Sequence, residues 1–288
     1  FASNEILSLT VNSYISNSTL IQATDNVSLL AEATFHIDAF AFGGALSAAT
    51  GVVSAGGPVT TVAAAGAVSW NTVNLDIQSY SEGSVIKTTY SGGKVTIGTT
   101  TSGKGFRQTF VSQSYVLGLS LQYPPSNTEQ STSVAAGVGI AFNTLYSNNK
   151  VYIKESKIDS GGSVELSSNS SPIIKSTGIG VAVSGASGTG SVLGFAGVGS
   201  AAKNVFNNKV EVAVDGKKSA SETSIKAAGS IQVEAKDDSD INATAGGLAL
   251  SVQGGAVAGA TAGAVGVAIA INKIGTEDII IYGNSWDS

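Results

Sequence analysis

Residues 245–272 read AGGLALSVQGGAVAGATAGAVGVAIAIN, a run without a charged side chain that closes on asparagine and is followed by a short polar turn and the strand-like triplet Ile279-Ile280-Ile281. The closing phrase recurs. Gly66-Ala67-Val68-Ser69-Trp70-Asn71, Gly137-Val138-Gly139-Ile140-Ala141-Phe142-Asn143, Gly197-Val198-Gly199-Ser200-Ala201-Ala202-Lys203-Asn204 and Gly266-Val267-Ala268-Ile269-Ala270-Ile271-Asn272 are copies of it, and Phe1-Ala2-Ser3-Asn4 matches the tail of another. The asparagines Asn4, Asn71, Asn143, Asn204 and Asn272 therefore act as anchors, separated by 67, 72, 61 and 68 residues. A period of roughly 65 to 70 residues marks a repeat architecture, and its length predicts several solenoid coils within each repeat.

The segment after each asparagine keeps one order: an alternating strand, a small-residue turn, a second strand such as Val164-Glu165-Leu166 or Ile231-Gln232-Val233, a polar link, and the uncharged Gly/Ala run. The repeats fall at 5–71, 72–143, 144–204 and 205–272, with a partial copy at 273–288 that matches the opening of the first. That phase is expected of a segment cut from a longer array. Residues 101–130 depart most from the pattern, with Lys104, Arg107 and the aromatics Phe106, Phe110, Tyr115 and Tyr123, so an insertion is expected there. A loop that leaves a regular scaffold is a natural contact surface.

Composition agrees with an all-β chain. Of 288 residues 36 are Gly and only 12% are charged, without the Leu, Glu and Lys enrichment of helical proteins. Cysteine is absent, which removes disulfides and Cys-based metal sites. The formal net charge of −5 disfavours nucleic-acid partners, which need a basic patch, and the one adjacent basic pair, Lys217-Lys218, reads as a solvated turn. The uncharged runs 39–75, 176–202 and 241–272 are long enough to cross a bilayer as helices. Their Gly, Ser, Thr and Asn content and period-2 alternation, as in Gly178-Ile179-Gly180-Val181-Ala182-Val183, argue instead for strands, and membrane spanning is not expected. Their small residues would form either an exposed flat wall open to partners or the coil interior.

The Ala/Gly/Val run ending in Asn, the "GGSVEL" and "AGSIQVEA" strands and the phrase Asp240-Ile241-Asn242-Ala243-Thr244-Ala245-Gly246-Gly247 together resemble the degenerate repeats of very large bacterial surface proteins, of the filamentous-haemagglutinin and autotransporter-adhesin kind. The resemblance covers nearly the whole chain apart from 101–130. It implies an elongated parallel β-helix, or β-solenoid, at the cell surface or in an extracellular fibre, without a catalytic motif to carry over. In such a fold the anchor asparagines are expected at corners, where Asn tolerates the left-handed backbone region.

Chemistry is sparse. His36 is the single histidine, which leaves neither a zinc set nor a convincing triad. Asp237, Asp238 and Asp240 are the weak candidates for a Ca²⁺ site, although the remaining ligands of an EF-hand or β-roll are missing. The acids Asp159, Glu165, Asp215 and Glu234 form no recognisable glycosidase pair. Asn17, Asn26, Asn169 and Asn242 lie in glycosylation sequons. The expected function is a non-catalytic structural and adhesive protein, acting by self-association or contact with other surface proteins. The alternative is a carbohydrate-binding or carbohydrate-cleaving β-helix that uses 101–130 to hold glycans.

Overall fold

The structure, a computed structural model, describes residues 1–50, 57–103, 106–123, 130–216, 223–254 and 259–275. Strands alone make up its regular elements, and they wind as coils of one β-solenoid. The first coil comprises β1 (Ala2–Ser16), β2 (Ile21–Ala23), β3 (Val27–Glu32) and β4 (His36–Thr50). The second runs through β5 (Val59–Glu82), β6 (Val85–Thr88), β7 (Val95–Thr100), a small hairpin of β8 (Ser102–Gly103) and β9 (Phe106–Arg107), and β10 (Thr109–Tyr123). The third comprises β11 (Gln130–Lys154), β12 (Lys157–Ser160), β13 (Val164–Ser170) and β14 (Ile173–Ser187). The fourth comprises β15 (Ser191–Asp215), β16 (Ser224–Ala227), β17 (Ile231–Asp237) and β18 (Asp240–Gly254), and β19 (Ala260–Ile274) opens a fifth.

Each coil is a flattened loop. The long strands β1, β5, β11, β15 and β19 stack into a five-stranded wall. The opposite wall is made by two four-stranded sheets, β3-β7-β13-β17 and β4-β10-β14-β18, and the short strands β2, β6, β12 and β16 close one end. Every pairing is parallel except the β8–β9 hairpin. At about 3.3 Å per residue, the 24 residues of β5 make a wall about 80 Å long.

Alternation explains why these residues form strands and which face is buried. In β11, Ser131, Ser133, Ala135, Ala141, Asn143, Leu145, Val151 and Ile153 point inward, and the residues between them point out. The inward residues change size along the wall. Near the closed end the space between walls is filled by large aliphatic and aromatic side chains, including Leu75, Ile77, Phe110, Leu145, Ile174 and Phe206 in one cluster and Ile86, Ile97, Ile153, Ile158 and Leu166 in another. Each such side chain contributes about 1.5–3 kcal/mol on burial. Toward the other end, the tip, the clusters are small: Ala135, Ala182, Ala196 and Val198, then Ala41, Ala67 and Val116. There the walls approach to backbone contact. A Cβ on Gly118 would lie 2.7 Å from the Ala136 carbonyl oxygen, and one on Gly178 would lie 2.5 Å from that of Ala201. The small residues of the Gly/Ala runs thus face each other inside the coil, and the larger residues of the same runs face out.

Three expectations change. The period corresponds to one coil, not several, because Asn4, Asn71, Asn143, Asn204 and Asn272 are direct register partners in adjacent strands of the long wall. The asparagines are not at corners either: Asn71 and Asn143 lie inside continuous strands and are buried. The left-handed corner falls at the aligned positions Asn17 (φ 51°), Gly83 (φ 58°) and Glu155 (φ 50°), just after the long strands end. The next residue is serine in all three coils, and its hydroxyl bonds back across the turn: Ser18 to the Ser16 carbonyl, Ser84 to Glu82 and Ser156 to Lys154. Finally, the insertion is narrower than 101–130. Among the described residues of that segment, only β8 and β9 leave the coil, as an antiparallel pair, while β10 pairs in register with β4 and β14 along its length; 104–105 and 124–129 lie outside the described residues. All 25 residues of β11 pair with β15 without a shift, so the length difference between those two repeats resides in the connections, whereas β1 carries a bulge between Ile6 and Leu9 against β5.

Candidate functional site

No convergent cleft gathers the chemistry-bearing residues among those described, and the features with functional content are ladders and faces of the coil stack. The asparagine ladder is the most ordered of these. Each amide donates one hydrogen to the next coil: Asn4 Nδ2 to Asn71 Oδ1 at 3.0 Å, Asn71 to Asn143 at 2.9 Å, Asn143 to Asn204 at 3.0 Å and Asn204 to Asn272 at 2.9 Å. The other amide hydrogen crosses to the opposite wall, bonding the carbonyls of Asp38, Val111, Lys175 and Asn242 at 2.8, 2.6, 2.6 and 2.6 Å. The ladder therefore ties coil to coil and wall to wall at one height. Asparagine suits this position because its amide supplies two donors and an acceptor in a plane.

Outward, on the closed-end side of the ladder, the long wall is polar. Tyr14, Tyr80 and Tyr152 stack with centroids 5.0 and 4.5 Å apart and rings nearly parallel, and Lys150 Nζ lies 5.2 Å from the centroid of the Tyr152 ring. Burial, then the neighbouring Tyr80 and Glu82, push the Tyr152 hydroxyl up to about 12. Lys154 Nζ lies 2.5 Å from Glu82 Oε1, and this contact holds the ammonium above its ordinary value. Glu211 sits 2.5 Å from Lys209 and 3.7 Å from Lys150, and the lysines, Lys209 first, hold its carboxyl below the usual range. These groups border a shallow hollow of about 640 Å³. The tyrosine rings use their faces on one another, so the inner ring, Tyr80, has no free face for a sugar to stack upon.

On the tip side of the ladder the outward residues are apolar. The long wall shows Val62, Val138, Phe195, Val265 and Ile269, and the opposite wall shows Phe42, Leu46, Leu117, Leu248 and Leu250, all exposed. Inside the same stretch serine and threonine hydroxyls bond to each other, Ser69 to Ser112 at 2.8 Å and Ser120 to Thr61 and Ser133 at 2.9 Å.

The residues expected to form a contact loop are dispersed by the fold. Phe110 is buried in the core, Tyr115 lies outward in β10 beside Phe40, and Tyr123 is exposed at the strand end. Phe106 and Arg107 belong to the hairpin, where Arg107 donates to the carbonyls of Ser171 and Asp238 at 2.7 and 2.5 Å and so clamps the hairpin to the next two coils. No single contact surface brings all five together. Among Asp237, Asp238 and Asp240, Asp237 accepts from Asn208 at 2.8 Å, while Asp238 and Asp240 join the backbone ladder through their N–H groups. No group of three or more His, Cys, Asp or Glu side chains converges for a metal among the described residues. Asp159 lies 3.7 Å from Lys87, Glu165 is in register with Gln232 and Glu234 with Ser167, and His36 is exposed at the start of β4. Of the sequon asparagines, Asn17, Asn26 and Asn242 are exposed and Asn169 is half-buried. Ile279–Ile281, Lys217-Lys218 and most of the partial repeat at 273–288 lie outside the described residues.

Sequence reasoning missed the corner serines and the apolar outer faces. The first were visible as the motif Ser-Asn-Ser at 16–18, Glu-Gly-Ser at 82–84 and Lys-Glu-Ser at 154–156. The second were visible as the alternate set of each Gly/Ala run. No helix among the described residues is long and apolar enough to cross a membrane. No protein-family model matches the chain, and searches of curated proteins and of solved structures give no match either.

Proposed function

We propose that this β-solenoid is a non-catalytic structural and adhesive element of a secreted or cell-surface protein, working as a rod in the manner of the filamentous-haemagglutinin and autotransporter adhesins its repeats resemble. The observation that carries the reading is the asparagine ladder with its in-register walls, because every bond along it is completed by another coil. Among the described residues β1 and β19 each pair with one neighbour in the long wall, and the outer edge of either can receive a further coil. Joining through those edges makes a filament. Electron microscopy of the natively purified chain tests this. Filaments with a rise of about 19 Å per molecule are expected, four coils at about 4.8 Å each. Isolated, strictly monomeric rods refute end-to-end assembly.

The hollow beside Lys150, Tyr152 and Lys154 is where a saccharide would sit under a carbohydrate-binding reading, since amide, carboxylate and ammonium groups line it. Titration with a polysaccharide panel separates the two: a structural rod gives no saturable binding and no turnover.

A further inference from the structure

The outer surface of the coil stack changes character along one line, the asparagine ladder, and the change occurs at the same height on both walls. On the long wall the last charged residue toward the tip is Lys203, beside Asn204; on the opposite wall it is Lys175 or Asp38, whose carbonyls accept from the ladder amides. Beyond it, no described outward residue of either wall is charged. The charge-free band covers eleven residues on the long wall, 59–69 in β5, and twelve on the opposite wall, 112–123 in β10. At about 3.3 Å per residue these are about 36 and 40 Å. The hydrocarbon core of a bilayer is about 30 Å thick and the bilayer with its headgroup regions about 40–45 Å, so the band spans the core and reaches the headgroups.

Five further features agree. Both walls are apolar over this band, so a second copy packed on one wall would leave the other in water, whereas lipid covers both. Aromatic residues mark the margins, with Trp70, Phe142 and Tyr115 near the charged line and Tyr123 at the tip, as in the girdles of outer-membrane strands. Side chains alternate apolar outward and small or hydroxylic inward, the reverse of a water-soluble sandwich. In this band the backbone of β10, β11, β14 and β15 is paired on both sides by the coils above and below, and the edge strands β4, β5, β18 and β19 complete their pairing when further coils join end to end. Near the tip, Gly185 opens an apolar notch of about 320 Å³ between Leu121, Tyr123 and Val252, the shape an acyl chain fills.

The geometry points to the tip half of this solenoid being a keel embedded in lipid hydrocarbon, with its strands along the bilayer normal, its coil axis in the membrane plane and the charged half projecting into water. No helix is involved: the uncharged runs meet lipid as strands. The keel rests on the end-to-end joining proposed above to cover its edge strands, and electron microscopy reads that joining independently of the vesicle test.

The test mixes the full chain with phosphatidylcholine vesicles and measures flotation, and it places a tryptophan at Val138 (V138W, with W70F and W286F) to be quenched by lipids brominated on the acyl chain. The protein floats and the new tryptophan is quenched. Val138→Glu, at a position half exposed on the outer face, lowers the vesicle-bound fraction on the order of tenfold. Asn207→Glu, on the polar half of the same wall, leaves it unchanged. Circular dichroism confirms that both variants are folded. Protein that stays in the aqueous fraction overturns the proposal, whether it is dispersed or self-associated with the V138W tryptophan shielded by another copy. Equal loss on Asn207→Glu overturns it too.

Discussion

Replacing Asn143 by alanine tests whether the ladder holds the coils together. Asn143 is 1% exposed and makes three side-chain bonds: it accepts from Asn71 at 2.9 Å and donates to the Lys175 carbonyl at 2.6 Å and Asn204 Oδ1 at 3.0 Å. The Lys175 carbonyl lies in a paired strand, so the groups left stranded are one Asn71 amide hydrogen and the Asn204 carbonyl oxygen. A buried polar group without a partner costs about 1–3 kcal/mol, which puts the loss near 3 kcal/mol for the two. In a stacked repeat that cost is local, because each coil contacts only its neighbours. Hydrogen exchange reads it directly. Amides around Ala141–Leu145 and Ala202–Phe206 should exchange on the order of a hundredfold faster in Asn143→Ala, since every 1.4 kcal/mol is about tenfold. Asn4→Ala, at the edge of the wall, strands only the Asn71 carbonyl oxygen and should accelerate its neighbours less than about tenfold. Asn143→Asp should be worse than alanine at neutral pH, because its carboxylate faces two acceptors, and should recover in acid as protonation restores a donor. Equal acceleration in Asn143→Ala and Asn4→Ala, or acceleration spread evenly over the chain, refutes a ladder that stabilises coil by coil.

The closeness of the walls predicts an asymmetry between two adjacent glycines. A Cβ on Gly43 runs into the Gly66 carbonyl oxygen, whereas one on Gly44 meets only the Phe42 side chain at 3.4 Å. Gly43→Ala should cost about 1–3 kcal/mol and Gly44→Ala less than about 0.5, read from thermal midpoints; equal midpoints would mean the walls are looser than described. Glu211, lowered by Lys209 and Lys150, contributes stability that is present above the ordinary glutamate value of 4.5 and is lost as pH falls through its lowered value. The wild-type midpoint should fall more steeply below that pH than that of Glu211→Gln. The difference should be small, since partly exposed ion pairs are worth about 0.2–1 kcal/mol, and parallel curves dismiss it.

The period-2 alternation and the recurrent asparagines are legible in the sequence, and they lead to a repetitive β architecture; the parallel winding is what the resemblance of the repeats implies, and the structure shows it. The number of coils is not, because a 24-residue strand is far longer than usual, so a full circuit takes as many residues as several ordinary turns. The role of asparagine is hidden for a similar reason. Its preference for left-handed corners is a local propensity, but at Asn143 the gain from bonding two coils and two walls dominates. The 101–130 segment looks irregular because Lys104, Arg107 and the two prolines interrupt its composition. Alternation from Thr109 to Tyr123 is nonetheless intact, and it is alternation that the neighbouring coils recognise. For the candidate surfaces, low charge is legible as a run, but which residues of the run face out depends on a wall on the other side of the coil.

Because β5 and β11 pair residue for residue up to Glu82, the first half of one is interchangeable with the first half of the other. Excising Thr72–Asn143 would join Val59–Asn71 directly to Thr144–Lys154 and leave a shorter rod with every seam matched. Gene segments of this kind can therefore be gained or lost by unequal recombination in whole circuits without disturbing the remainder. Length becomes a quantity that selection can adjust by copy number, much as a chain is shortened by removing links.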